Sequence, residues 1–288
     1  MTVTVYGASK VKRQRRTRSE LAEVDAAIYT AVETENPVSL RGVYYRVVSA
    51  GAVPKTEAAY NAVGRRLLKL RRDGTIPYSW ITDGTRLMRK PASWSDIDQM
   101  LDAAALSYRR ALWDDQDVEV IVMSEKEAIT GVIYPVTSRY DVELCITRGY
   151  SSETFTHSIA QTVATAGKPV YIYQLGDHDP SGVDGWRSFQ ERVGEFAPEA
   201  EVTFERLAVT PGQIELYNLP TRPTKTTDSR AAGFTGRSVE VDAIPATVLR
   251  SILTEAIEQH IDPVALAFTQ SVEASERELL YAIADGAR

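Results

Sequence analysis

Three carboxylates in this chain fall where a backbone running through a parallel sheet would leave it. Glu125 comes just after the apolar run "VEVIVM" (118–123), and Asp177 and Asp179 come just after "PVYIYQL" (169–175), inside "GDHDPSG" (176–182). Short apolar runs of this kind read as buried strands, and in open α/β sheets ligands sit beyond the carboxyl ends of the strands. Where two such strand ends are neighbours, hard oxygen donors meet in one small volume. They suit magnesium, or manganese, bound through one or two carboxylates plus a substrate phosphate. Gly176 and Gly182 let the backbone turn tightly around the acidic loop. Glu127 and Asp184 are further acidic candidates. His157, His178 and His260 are too scattered for a zinc site.

The surrounding elements alternate. "DVELCIT" (141–147) reads as another strand, "SSETFTHSIAQTVATAG" (151–167) as a helix with a Ser cap and a Gly stop, and "EVTFERLAV" (201–209) as a further strand. A helix running from Gly182 towards Phe196 lies between. Strands alternating with helices imply an α/β fold with a mainly parallel sheet. Residues 91–117 read as a helical connector, and two amphipathic helices close the chain. The Pro-containing stretch 218–245, with Arg222, Lys225, Arg230 and Arg237, reads either as a loop near DNA or a dimer partner, or as an inert connector.

The first 90 residues differ in charge. They hold 17 basic and 8 acidic residues, against 16 and 31 in the remaining 198, although the whole chain is net −6. A basic module that meets a polyanion, followed by an acidic module with another task, is the arrangement this implies. Lys12, Arg13, Arg15 and Arg16 crowd a basic arm over 1–18 that has no apolar face. Helical periodicity then begins, with Ser19 as the expected cap, and stops at Asn36-Pro37. Ser39 caps a second helix, and Thr56 a third that carries Arg65, Arg66, Lys69 and Arg72. The segment "TIPYSWITDGTRLM" (75–88) reads as a hairpin turning at Asp83-Gly84. Three short helices and a hairpin over 19–90 are the order of a winged helix-turn-helix. Its third helix would enter the major groove of double-stranded DNA while its cations contact phosphates.

Composition bounds the rest. Hydrophobic residues make up 43% and charged residues 25% of 288, which disfavours wholesale disorder. The apolar runs fall far short of the ~20 residues of a membrane span. A single cysteine, Cys145, forms no internal disulfide, and no secretory leader is visible, so a cytoplasmic, DNA-associated protein is expected.

The succession "VIVMSEKEAI" and, further on, "YIYQLGDHDPSG" resembles the Toprim domain, in the version found in the A subunit of topoisomerase VI and the related meiotic double-strand-break protein. That family sets its glutamate before a lysine, as in Glu125-Lys126, and follows its acidic pair with Pro and Gly, as in Asp177-His178-Asp179-Pro180-Ser181-Gly182. It also carries an upstream winged helix with an Arg-x-x-Tyr-Tyr pattern, which "RGVYY" (41–45) matches. The resemblance covers most of 21–216. It implies a winged helix-turn-helix domain followed by a Rossmann-like Toprim domain over 118–288. By the same match Tyr45 attacks a DNA phosphodiester and becomes linked to the 5′ end, Arg41 assists at the scissile phosphate, and Glu125, Asp177 and Asp179 hold the metal. A homodimer is implied too, with the tyrosine of one subunit serving the metal site of the other. Relatives often carry Asp where Gly42 stands here. The chain contains no ATP-binding motif, so strand passage would require a separate ATPase (B-type) subunit. It looks like a short stand-alone A-type homologue, such as those on phages and mobile elements. Two alternatives stay open: a DNA-binding subunit without autonomous cleavage, and a metal-dependent Toprim nuclease.

Overall fold

The computed structural model describes residues 17–82, 91–223, 234 and 236–286. Three helices come first: α1 (Arg18–Glu35), α2 (Leu40–Ser49) and α3 (Glu57–Arg72). The cap of α1 is Thr17 rather than Ser19, because Thr17 and Glu20 form a reciprocal capping box that satisfies two orphan N–H groups. Ser39 and Thr56 cap α2 and α3 as their spacing predicts.

Residues 75–82, the described part of the expected hairpin, hold one short strand. Pro77 leads into a single 3-10 turn at Tyr78–Trp80, and the following strand β2 (Ile81–Thr82) pairs in parallel with β1 (Val38–Ser39). Pro77 has no N–H to donate to a ladder, so that stretch is a poor strand. The turn at Asp83-Gly84 lies outside the described residues, as do Lys12, Arg13, Arg15 and Arg16. Next, α4 (Ile97–Ser107) falls within the expected connector.

A four-stranded, wholly parallel sheet follows, built from β3 (Glu119–Ser124), β4 (Glu143–Ile146), β5 (Val170–Leu175) and β6 (Val202–Ala208) in the order β4-β3-β5-β6. Between the strands run α5 (Thr130–Arg139), α6 (Glu153–Thr165) and α7 (Pro180–Phe196). Helix α5 is masked in the sequence by Pro135 in its interior. The chain closes with α8 (Pro211–Leu216), α9 (Ala246–Glu258) and α10 (Pro263–Gly286).

Both faces of the sheet are covered. On β3, Ile121 and Met123 point to one face, where α6 adds Ile159 and Val163 and α7 adds Phe189 and Val193. Val120 and Val122 point to the other, where they join α5, α9 and the amino-terminal helices through residues such as Ile28, Val43, Val63, Ile133 and Leu253. The amino-terminal helices thus share a continuous apolar core with the sheet. Polar links reinforce it: the Ala246 amide donates to Glu35 (2.8 Å), and Arg250 donates to the carbonyls of Glu35 (3.1 Å) and Pro37 (3.2 Å). Among the described residues, no helix is long and apolar enough to cross a membrane.

Candidate tyrosine and carboxylate site

Strands β3 and β5 are neighbours and end level, with Ser124 opposite Leu175. Glu125 and Gly176 therefore leave the sheet side by side, and the Asp177 amide donates to Glu125 Oε2 at 3.3 Å. Asp177 is buried: its Oδ1 accepts from the Val241 amide (2.9 Å), and its Oδ2 pairs with Lys126 (3.0 Å). Asp179 caps α7, its Oδ1 accepting from the Gly182 amide at 2.9 Å, while Arg222 lies 3.5 Å from its Oδ2. The helix thus starts at Pro180, ahead of the expected Gly182. Arg206, largely shut away from water, donates to the carbonyls of Gly176 (3.1 Å), Asp177 and Gly182 (3.3 Å) and so fixes the loop's path. Glu127 is drawn away to Arg148 (2.6 Å), and Asp184 to the Tyr150 hydroxyl (2.6 Å) and Arg187.

Two acidic groups absent from the sequence reading complete the cluster. Glu240 and Asp242 are both buried, and Lys126 Nζ lies 3.2 Å from Glu240 and 3.5 Å from Asp242 as well as against Asp177. They sit in the stretch read as a loop near DNA or an inert connector. Its last part, 238–243, is pinned: the amide and carbonyl of His178 exchange hydrogen bonds of 2.9 Å with Val239, and Asp242 accepts from Ser39 Oγ (2.5 Å), the cap of α2; Lys225 and Arg230 lie outside the described residues. Nothing local in "SVEVDA" (238–243) announces this, apart from acidic residues set between apolar ones.

Glu240 also reaches the tyrosine side. Arg41 Nη1 is 3.0 Å from Glu240 Oε2, and Arg222 Nη1 is 3.0 Å from its Oε1. Arg41, Tyr44 and Tyr45 lie on α2, and a Cβ at Gly42 would stand only 2.8 Å from Val38 Cγ2, so no larger residue fits there without a shift. The carboxylate that orients Arg41 is instead Glu240, from far along the chain. Tyr44 donates to the Thr56 carbonyl (3.1 Å) and packs edge-on against Tyr60, over whose ring Arg41 lies. Tyr45 is only 2% exposed, with Lys55 Nζ 5.2 Å from its ring centre.

Charge follows from these contacts. Burial pushes the Tyr45 phenol up to about 12, helped by Glu240 and opposed by Arg41 and Lys126. Burial also raises Glu125, with Asp177 and Asp179 adding like-charge repulsion. For Lys126 burial works against the charge, but Asp177, Asp242 and Glu240 outweigh it and hold the ammonium protonated. Glu240 is likewise penalised by burial, yet Lys126, Arg41 and Arg222 together hold it below the usual carboxylate range.

Among the described residues, no group of three or more His, Cys, Asp or Glu is arranged to hold a metal ion. The cation that Asp177 gathers is Lys126. The donor chemistry nevertheless fits a hard divalent ion. A Cβ at Gly176 or Gly182 would come within 3.0 and 2.9 Å of Glu125 Oε2, so the two glycines keep open a cradle around that carboxylate.

Of the α3 cations, Arg65, Lys69 and Arg72 are exposed, while Arg66 is tied to Asp25 of α1 through two hydrogen bonds, one of 2.7 Å. Lys69 pairs with Asp73 in the exposed last turn. Arg71 lies over the Tyr78 ring. No protein-family model matches the chain, and no curated protein does.

Proposed function

We propose that the chain is a DNA-cleaving tyrosine transesterase of the topoisomerase VI A-subunit type, a winged helix joined to a Toprim-like domain. The observation that supports this reading is the ion-pair path Arg41–Glu240–Lys126–Asp177, which ties the tyrosine side to the carboxylate side within one chain. Tyr45 Oη attacks a backbone phosphorus; the new Tyr45 O–P bond forms as the P–O3′ bond breaks, and the 3′ oxygen leaves as a hydroxyl with a proton. Arg41 grips the phosphate oxygens and, with Lys126, favours loss of the phenolic proton, which resting Tyr45 keeps. Magnesium held by Glu125, Asp177 and Asp179 would offset charge gathering on the phosphate. Exposed Arg65, Lys69 and Arg72 would contact flanking phosphates. A homodimer, in which the tyrosine of one subunit works with the carboxylates of the other, belongs to this proposal, the ion-pair path holding the two halves of each chain in place relative to one another; a separate ATPase subunit would serve any strand passage.

Burial of Tyr45 favours a second reading, in which the chain binds DNA and cuts only with a partner that opens the site. Both are tested by incubating the protein with supercoiled plasmid and Mg²⁺ or Mn²⁺, quenching in detergent and comparing lanes with and without protease. Protein-linked breaks, lost in Tyr45→Phe and Asp177→Asn, are the expected result. Salt-sensitive binding without cleavage favours the partner-dependent reading. Cutting that survives Tyr45→Phe and leaves no protein on the ends would instead indicate a Toprim nuclease acting by hydrolysis.

A further inference from the structure

The cleft beside Tyr45 is lined by Arg41, Lys55, Tyr60, Asn61, Arg222 and Glu240, among others. Its three cations arrive from separate parts of the chain. Arg41 stands on α2, and Lys55 lies just before α3. Arg222 follows α8 and is clamped there by paired backbone hydrogen bonds with Ser238 (2.9 and 3.0 Å). Two carboxylates also line the cleft, Glu57 and Glu240, but Glu240 is already shared among Arg41, Arg222 and Lys126. The side chains of Arg41 and Arg222 are 40% and 39% exposed, so both face solvent while gripping Glu240. Arg222 also lies 3.5 Å from Asp179 Oδ2; a guanidinium carries five N–H donors in a planar fork, and these carboxylate contacts do not engage all of them.

Lys55 is the least satisfied of the three. Its ammonium donates to the Pro220 carbonyl (2.5 Å) and lies over the Tyr45 ring, and among the described residues no carboxylate forms an ion pair with it. Burial lowers its pKa to about 8; Glu240 works against that shift, and Arg222 and Arg237 add to it. A cation crowded by cations is relieved by an added anion. Two guanidinium forks and an ammonium around one opening match the non-bridging oxygens of a phosphodiester.

Building on the functional reading above, we propose that Lys55 and Arg222, together with Arg41, form a binding site for a DNA-backbone phosphate beside Tyr45. Lys55 and Arg222 bind there; they take no part in bond making or breaking.

The test is binding of a fluorescein-labelled short duplex in EDTA, followed by anisotropy across a salt series. The proteins compared are the wild-type chain, Lys55→Gln, Lys55→Arg and Arg222→Gln, each checked for an unchanged melting temperature. One phosphate contact contributes about 0.9 to the slope of log affinity against log salt. Lys55→Gln and Arg222→Gln should each flatten that slope by about 1 and weaken binding roughly 3-fold to 10-fold, while Lys55→Arg keeps the wild-type slope. Should Lys55→Gln fail to fold, the exposed Arg222 decides alone. Wild-type slopes in both Gln variants, with Tyr45-dependent cutting intact, overturn the phosphate site and spare the functional reading. A wild-type chain with no affinity for DNA overturns both.

Discussion

The two halves of the candidate site are built in different ways. On the carboxylate side, Glu125 and Asp177 are delivered by adjacent strands that end level, so the backbone ladder alone brings them together. On the tyrosine side, Arg41 and Tyr45 project from one helix and meet nothing acidic on it; their electrostatic surroundings come from Glu240, 199 residues away from Arg41. The first half follows from sheet geometry. The second depends on a strap, 238–246, that bonds to the cap of α2, to Glu35 and to the acidic loop at once. Damage to the strap should therefore uncouple the halves while leaving the sheet in place.

The largest expected effect comes from the chemistry. Tyr45→Phe should lower protein-linked cleavage by about 10³-fold or more, with DNA affinity unchanged, as read from gel and anisotropy together. Affinity that falls along with cleavage would assign Tyr45 to binding instead. Glu240→Ala comes next: it leaves three cations around an empty position and should cost about 3 kcal/mol in denaturant unfolding, with Glu240→Gln costing less. An effect no larger than that of Arg187→Ala, on a surface ion pair, would show that the strap does not couple the halves.

A third probe stays on the carboxylate side. Alanine at Gly182 would set its Cβ 2.4 Å from the Asp177 carbonyl, so Gly182→Ala should destabilise by about 2 kcal/mol.

pH separates the halves further. Lys55, lowered to about 8, faces Tyr45, Glu240, Arg222 and Arg237, and only its protonated form attracts phosphate. DNA affinity should then fall as pH rises from 7 to 9, by less than about tenfold, and Lys55→Gln should remove that dependence. The smallest effect belongs to the exposed start of the first helix. Thr17→Ala removes the capping box and should cost about 1 kcal/mol of stability without altering cleavage.

Much of this was legible in local pattern. Apolar runs marked all four strands of the sheet, Ser39, Thr56 and the serine pair at 151–152 marked three helix starts, and the turn after β5 marked Asp177 and Asp179. The α1 cap was misplaced by two residues because Thr17 and Ser19 are both good caps, and only the reciprocal bond with Glu20 decides between them. Over the described part of the expected hairpin, Pro77 opens a turn in place of a strand, and Ile81 and Thr82 find their partner in β1, outside the segment.

The sequence by itself determined the elements and the types of side chain at strand ends, since periods of two and 3.6 residues are properties of short stretches. The tertiary structure decided which charges meet. Glu240 and Asp242 were invisible as site residues because an ion pair formed across 114 residues, from Lys126 to Glu240, leaves no trace in local spacing. It exists because the apolar faces of the sheet, of α9 and of the amino-terminal helices close on one core, and that closure carries the strap into place.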